Sequence, residues 1–277
     1  MIWPGAAVSI EDRKMSAKLG FLGAGAITSA MVTGLKASGE DRRALLLSPR
    51  NTAVAAVLAN RFENVSVAAS NQELVDECET IVIAVRPQIA QEVLAALRFP
   101  AHANVISLVS GLPVRRLAEL TAPATRISRA VPLPSAARGM SPTAIYPRDP
   151  QVVELFSRLG VVIAVDEEER FDALCVITAT MATYFAFASA SAAWLERHGV
   201  HPQQARDYVA HIYMGLAQTS VEAPGRSFAE LAADHATRGG TNEQVLGYLK
   251  QLGVFDRFDE ALDAILLRVT GRAGSGS

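Results

Sequence analysis

Cysteine is scarce in this chain: two residues in 277, Cys78 and Cys175, without metal-ligand spacing. Both fall in apolar segments, which argues against a disulfide framework, fits a reducing cytosol and gives the thiols no chemical role. The five histidines form no HExxH or other clustered pattern, so no metal is expected. An excess of one charge is lacking too. A net charge of −2 with no basic stripe argues against a nucleic-acid partner. The opening MIWPGAAVSIEDRK has too short an apolar stretch for a signal peptide, so a cytoplasmic location is expected. Met15 is a candidate natural start, which makes residues 1–17 an extension, and residues 272–277 read as a flexible tail. One window, Ala173 to Leu195, is free of charge over a membrane-span length. It is rich in Ala, Ser and Thr, and Asp172 and Glu196 bracket it, so it reads as a helix buried in a protein core with no membrane partner.

What is present is more telling. In KLGFLGAGAITSAMVTGL, Lys18 to Leu35, an apolar run breaks at Gly23-Ala24-Gly25 and passes into an amphipathic helical pattern. That is a buried strand, a tight turn and a helix N-terminus. Gly23 permits the turn, and Gly25 keeps no side chain between backbone and pyrophosphate. The first helical residues, Ala26 and Ile27, offer N–H donors and a partial positive charge. Thr28 stands at the third glycine of the dinucleotide fingerprint, which weakens the motif taken alone.

A second strand, Ala44 to Leu47, runs into Ser48-Pro49-Arg50-Asn51, where a dinucleotide fold reads the ribose. An NAD site carries a carboxylate there. A hydroxyl, a guanidinium and an amide suit a 2′-phosphate, so NADP(H) is expected in preference to NAD(H). The plain alternative makes Arg50 a solvated loop charge.

From Lys18 to about Val165 short apolar runs alternate with helical patterns, which predicts a parallel, doubly wound sheet in an NADP-binding domain over residues 18–166. Ligands of such sheets lie beyond the strands' carboxyl ends, at Gly23–Ile27, Ser48–Asn51, Val85–Gln88 and Ser107–Gly111, the last including Ser110. Beyond Glu167 only helices are predicted: Glu168–His198, Pro202–Glu222, Ser227–Thr237, Thr241–Leu252 and Arg257–Val269. The longest is apolar all round and needs a partner surface, most simply a second copy, so residues 167–271 read as an obligate homodimerisation domain. The fold class is α/β, an N-terminal Rossmann-like dinucleotide-binding domain plus a C-terminal all-helical dimerisation domain.

Several stretches now align with one family. GFLGAGAITSAM, SNQELVDECETIVIAVRPQ, VISLVSGL, SRAVPLPSA, FDALCVITATMATYF and ATRGGTNEQVL resemble, in order and spacing, the pyrroline-5-carboxylate reductases, from Lys18 to about Gly271. The resemblance implies an NAD(P)H-binding first domain, an intertwined helical dimer with each active site at the shared interface, and hydride transfer to the C=N carbon of a cyclic imino acid. Ala84-Val85-Arg86-Pro87-Gln88 matches the family's Ala-Val-Lys-Pro-Gln turn along the cofactor ribose and nicotinamide, and Asn71 falls on the Asn near the adenosine ribose. Both also suit helix starts, Asn71 as an N-cap and Pro87 in a first turn. Thr237-Arg238-Gly239-Gly240-Thr241-Asn242 stands where the family holds the substrate carboxylate on backbone N–H groups and hydroxyls. A glycine helix stop followed by a Thr/Asn cap accounts for the same pattern.

The departures are specific. The family's Met-Pro-Asn-Thr-Pro is Val131-Pro132-Leu133-Pro134-Ser135, and its Ser-Gly-Ser-Gly-Pro-Ala-Tyr is Thr178-Ala179-Thr180-Met181-Ala182-Thr183-Tyr184. Leu133 and Met181 add apolar bulk, while Arg238 and Glu243 add charge beside the glycine loop, enough to change a substrate preference. A cyclic iminium arrives protonated and needs alignment more than a strong acid. Thr180, Tyr184 and Asn242 are the expected contacts of the reacting imine, with His235 and Glu243 as weaker acid–base candidates; a core aromatic accounts equally for Tyr184. Two other readings stay open: a carbonyl reductase of the β-hydroxyacid dehydrogenase type, and a non-catalytic dinucleotide-binding dimer.

Overall fold

The computed structural model describes residues 18–39 and 43–271; the expected extension, 1–17, and tail, 272–277, lie outside the described residues. Two compact units divide after Cys175. The first is built on eight strands: β1 (Leu19–Leu22), β2 (Leu45–Leu47), β3 (Val65–Val67), β4 (Thr80–Ile83), β5 (Asn104–Ser107), β6 (Arg126–Val131), β7 (Thr143–Tyr146) and β8 (Val162–Ala164). They lie in the order β3-β2-β1-β4-β5-β6-β7-β8. Chain order reverses between β1 and β4, where Phe21 pairs with Leu47 on one side and Val82 on the other.

Alternation along the strands splits the core into two faces. Phe21, Leu45, Leu47, Val82 and Ile106 pack beneath helices α1 (Ala26–Ala37), α2 (Thr52–Arg61) and, later in the chain, Pro150–Ser157. Leu22, Leu46, Ile81, Ile83 and Val105 face α3 (Asn71–Glu77), α4 (Pro87–Ala95) and α5 (Val114–Leu120). The Pro150–Ser157 helix is α6. The expected all-parallel sheet is corrected at one end: β7 runs antiparallel to β6, with Ala130 opposite Ile145, and β8 follows β7. The link from β6 to β7 contains only a 3-10 turn, Pro134–Arg138, too short for the crossover that a parallel neighbour requires.

Helix α7 (Glu168–Ile177) is anchored to this sheet by a residue the sequence reading passed over. Arg129, on β6, is 2 % exposed. Its Nη1 donates to Glu168 Oε1 and Asp172 Oδ1, each at 2.9 Å, and its guanidinium lies over the Phe171 ring, 4.5 Å from the centroid. Glu168 Oε1 also accepts the Val114 N–H at 2.8 Å, so one carboxylate ties α7 to the start of α5. Burial pushes the Cys78 and Cys175 thiols up to about 12, which leaves both protonated and unreactive near neutrality.

The second unit comprises α8 (Met181–Arg197), α9 (Pro202–Glu222), α10 (Phe228–His235), α11 (Thr241–Gln251) and α12 (Val254–Thr270). The single helix expected over Glu168–His198 is interrupted by a 3-10 turn at Thr178–Thr180. There the Thr180 hydroxyl donates to the Ile177 carbonyl at 2.7 Å, a local bond that competes with the helical ladder. The expectation that Ala173–Leu195 is buried is not met within one chain. The run Glu168–Arg197 is long and apolar enough to cross a membrane, yet 6 % of its most apolar window is buried. Phe185 is 68 % exposed, and Phe187, Trp194, Ile212 and Met214 are exposed with it. The sequence pattern correctly reports an apolar surface that must be covered; the chain's own residues do not cover it.

Candidate functional site

The turn from β1 into α1 sits at the reversal of strand order, the crevice where open α/β sheets take ligands. Gly23 has φ +114°, and a Cβ there would stand 2.6 Å from the Ala84 carbonyl oxygen at the end of β4. Two strand ends approach so closely that only glycine fits. Gly25 is the N-cap of α1, has no side-chain cap, and no acid occupies the first turn. A Cβ on Gly25 would meet nothing within 4 Å, so nothing inside the chain demands glycine there. The N–H groups of Ala26 and Ile27, at the start of α1, have no acceptor within the helix. Thr28, which replaced the third fingerprint glycine, is fully buried, and its hydroxyl donates to the Gly23 carbonyl at 2.6 Å. The substitution keeps the helix close to the turn by a bond instead of by a missing side chain.

Two residues expected on a 2′-phosphate are used otherwise. Ser48 is 2 % exposed, and its Oγ accepts the Gly23 N–H at 2.8 Å. Asn51 caps α2 and donates through Nδ2 to the Ala24 carbonyl at 2.8 Å. Both brace the glycine turn from the neighbouring strand end. Arg50 stands between them, exposed and without a partner among the described residues.

Farther along the crevice, Ser70 rather than Asn71 is the N-cap of α3, accepting the Glu73 N–H at 3.1 Å. Asn71 Oδ1 is buried without a hydrogen-bond partner. An acceptor left so is costly unless a donor arrives from outside the chain, and a ribose hydroxyl is such a donor. Beyond β4 the backbone runs through half-buried Ala84 and Val85 to exposed Arg86 and Pro87, where α4 begins without a side-chain cap. Ser110 is exposed beyond β5, in the turn that Gly111 closes with φ +73°.

The second unit holds the other expected residues in two places. Thr180 lies in the 3-10 turn, and Tyr184, on the first turn of α8, packs edge-on against Phe185 and Tyr213 with ring centroids 5.0 and 5.4 Å away. Met181 and Tyr184 are both partly exposed. Thr237, Arg238 and Gly239 lead through Gly240, the N-cap of α11, to Thr241 and Asn242. Asn242 Nδ2 donates to the His235 carbonyl at 3.0 Å. Gly239 N–H donates to Glu243 Oε2 at 2.6 Å, so Glu243 is a constituent of the loop instead of a free acid. Among the described residues no group of three His, Cys, Asp or Glu could hold a metal ion.

Comparison with known proteins follows this division. Residues 18–111 match the family model described as NADP oxidoreductase coenzyme F420-dependent, and residues 168–271 match pyrroline-5-carboxylate reductase dimerisation. A pyrroline-5-carboxylate reductase from Vibrio alginolyticus is 24 % identical over 91 % of this chain and 96 % of its own. The structure of 1-pyrroline-5-carboxylate reductase from Streptococcus pyogenes shares the fold with a TM-score of 0.81 at 22 % identity, over 93 % of this chain and 99 % of that one. A reductive aminase from Aspergillus terreus, in complex with NADPH and ethyl-5-oxohexanoate, superposes with a TM-score of 0.60 at 19 % identity, over 92 % of each chain. With a dinucleotide oxidoreductase model matched at one end, a pyrroline-5-carboxylate reductase dimerisation model at the other and relatives matched nearly end to end, the chain is similar throughout its described length to the pyrroline-5-carboxylate reductases.

Proposed function

We propose that this protein is an NADPH-dependent reductase that delivers hydride to the C=N carbon of a cyclic imino acid or related imine. The observation that carries the reading is the uncapped glycine turn at the β1/β4 reversal, with open space where a Gly25 side chain would stand. Residues 18–166 are assigned to the cofactor. Gly23, Gly25, Ala26 and Ile27 would cradle the pyrophosphate, Asn71 Oδ1 would accept from the adenosine ribose, and Ala84–Pro87 and Ser110 would line the path toward the nicotinamide. Ser48 and Asn51 support the turn from behind, which leaves Arg50 to pair with the 2′-phosphate. Residues 167–271 are assigned to homodimer formation and substrate. The exposed apolar side chains of α8 and α9 supply the surface, in accord with the dimerisation family that matches there.

Bound NADPH supplies the hydride. The chain's part is to orient the imine and exclude water, because a protonated C=N needs no strong acid. Thr180 retains lone pairs after donating to Ile177 and can accept from an iminium N–H, as can the Tyr184 phenol oxygen or Asn242 Oδ1. A carbonyl reductase is the weaker reading: no lysine occurs between Glu168 and Glu222 to protonate an alkoxide. NADPH oxidation with pyrroline-5-carboxylate, pyrroline-2-carboxylate, piperideine carboxylates and a 2-keto acid panel separates them. Turnover on imines alone is expected. Turnover on keto acids alone refutes the proposal, and tight NADPH binding with no turnover on any compound makes the protein a scaffold.

Arg50→Asp tests the cofactor assignment. Losing a charge-assisted phosphate contact and adding a repulsion is expected to weaken NADPH by about 30-fold, roughly 2 kcal/mol, while NADH changes by about threefold or less. Equal losses in fluorescence titrations with the two nucleotides would contradict it.

A further inference from the structure

Helices α1 and α11 both begin at a glycine with no capping side chain, and there the likeness ends. The first turn of α1 carries no acid, whereas that of α11 carries Glu243. Its Oε2 accepts the Gly239 N–H at 2.6 Å, held in place as Gly239 turns with φ +74°. Two neighbouring donors are also spent inside the loop: Gly240 N–H on the Thr237 carbonyl at 2.8 Å, and Asn242 Nδ2 on the His235 carbonyl at 3.0 Å. One glycine turn is therefore free of any acid of its own, and the other already holds the chain's own carboxylate on the Gly239 N–H. An incoming carboxylate would have to displace Glu243 from its N–H and stay beside it as a like charge. Glu243 and Arg238 are both exposed, but Glu243 is fixed on the Gly239 N–H, whereas no bond among the described residues holds the Arg238 guanidinium to the loop.

From this we infer that Glu243 sets the charge of the substrate: the site takes a neutral or cationic cyclic imine without a carboxylate, of the 1-pyrroline type, in preference to an imino acid. The inference deepens the reductase reading and rests on it. Physically, Glu243 plays two parts, occupying the position an acid would need and placing negative charge where an iminium is welcome.

The test uses the full chain with NADPH and compares kcat/KM on 1-pyrroline and pyrroline-5-carboxylate for the wild type and Glu243→Gln. Glutamine can still accept the Gly239 N–H, so the change removes charge and keeps the cap. The wild type should favour 1-pyrroline by about tenfold or more, and Glu243→Gln should cut that preference about tenfold, mainly through KM for the carboxylated imine. A second arm measures equilibrium binding of tetrahydrofuran-2-carboxylate, which cannot be reduced, to the NADPH complex. Binding about tenfold tighter to Glu243→Gln is expected. A wild-type preference for pyrroline-5-carboxylate, or a ratio and affinity unmoved by the substitution, overturns the inference. If no imine is turned over, the reductase reading fails and the binding arm alone decides: tighter binding to the variant sustains the role of Glu243, equal or absent binding removes it.

Discussion

Gly23→Ala should lose both fold stability and cofactor binding, while Gly25→Ala should lose binding alone. At position 23 a methyl would stand 2.6 Å from the Ala84 carbonyl oxygen and 2.7 Å from its carbon, with φ at +114°. Those neighbours are backbone atoms at the end of β4 and cannot rotate aside, so the two strand ends at the crevice must part. The strain of an L-residue in that conformation adds about 1–3 kcal/mol to the steric cost. A melting temperature several degrees lower and NADPH affinity down by about 100-fold are expected. At position 25 a methyl meets no protein atom within 4 Å, so the melting temperature should hold. The same methyl stands where the pyrophosphate would approach the α1 N-terminus, and NADPH affinity should fall comparably. Equal melting temperatures for both variants would contradict the close approach at Gly23. Unchanged NADPH affinity in Gly25→Ala would remove the cradle from the account.

The second large effect lies away from the ligand. Arg129→Ala leaves Glu168 and Asp172 facing a void above Phe171, with side-chain exposures of 22 % and 14 %. Stranding one side of a buried ion pair costs about 3–5 kcal/mol, and the partial exposure of both acids puts this case near the lower figure. The denaturant midpoint should drop accordingly. Combining Arg129→Met with Glu168→Gln and Asp172→Asn should recover most of the loss, because the charges leave together. If Arg129→Ala alone is neutral, the network does not hold α7 to β6. If the triple variant is as unstable as the single one, the loss comes from packing over Phe171 and not from charge.

The sequence carried some features of this structure well and others poorly, for physical reasons that differ from residue to residue. Helix Pro202–Glu222 forms over the residues expected of it, because His-Pro punctuation marks its start and Ala-Pro-Gly its end. The glycine turn was legible because its residues are adjacent. Ser48 and Asn51 were not, since their partners Gly23 and Ala24 lie 25 and 27 residues away and only strand pairing brings them together. Arg129 carries no local signal in the sequence; its acids stand 39 and more residues downstream, on a helix whose docking no local pattern reveals. The apolar run Ala173–Leu195 announced burial, yet the described residues of the chain leave most of it uncovered. Glu243 was visible only as a loop acid. Its function as the internal occupant of a glycine turn required the Gly239 N–H to be seen pointing at it.

Because the proposed function is reduction of a C=N bond, the decisive measurement is the rate of NADPH oxidation by the purified full chain on matched ring compounds. Pyrroline-5-carboxylate and 1-pyrroline form one arm, cyclopentanone and a 2-keto acid the other. The proposed function predicts that at least one imine is turned over with kcat/KM about 100-fold or more above either carbonyl compound. Faster reduction of a carbonyl compound, or saturable NADPH binding with no oxidation in either arm, would contradict it.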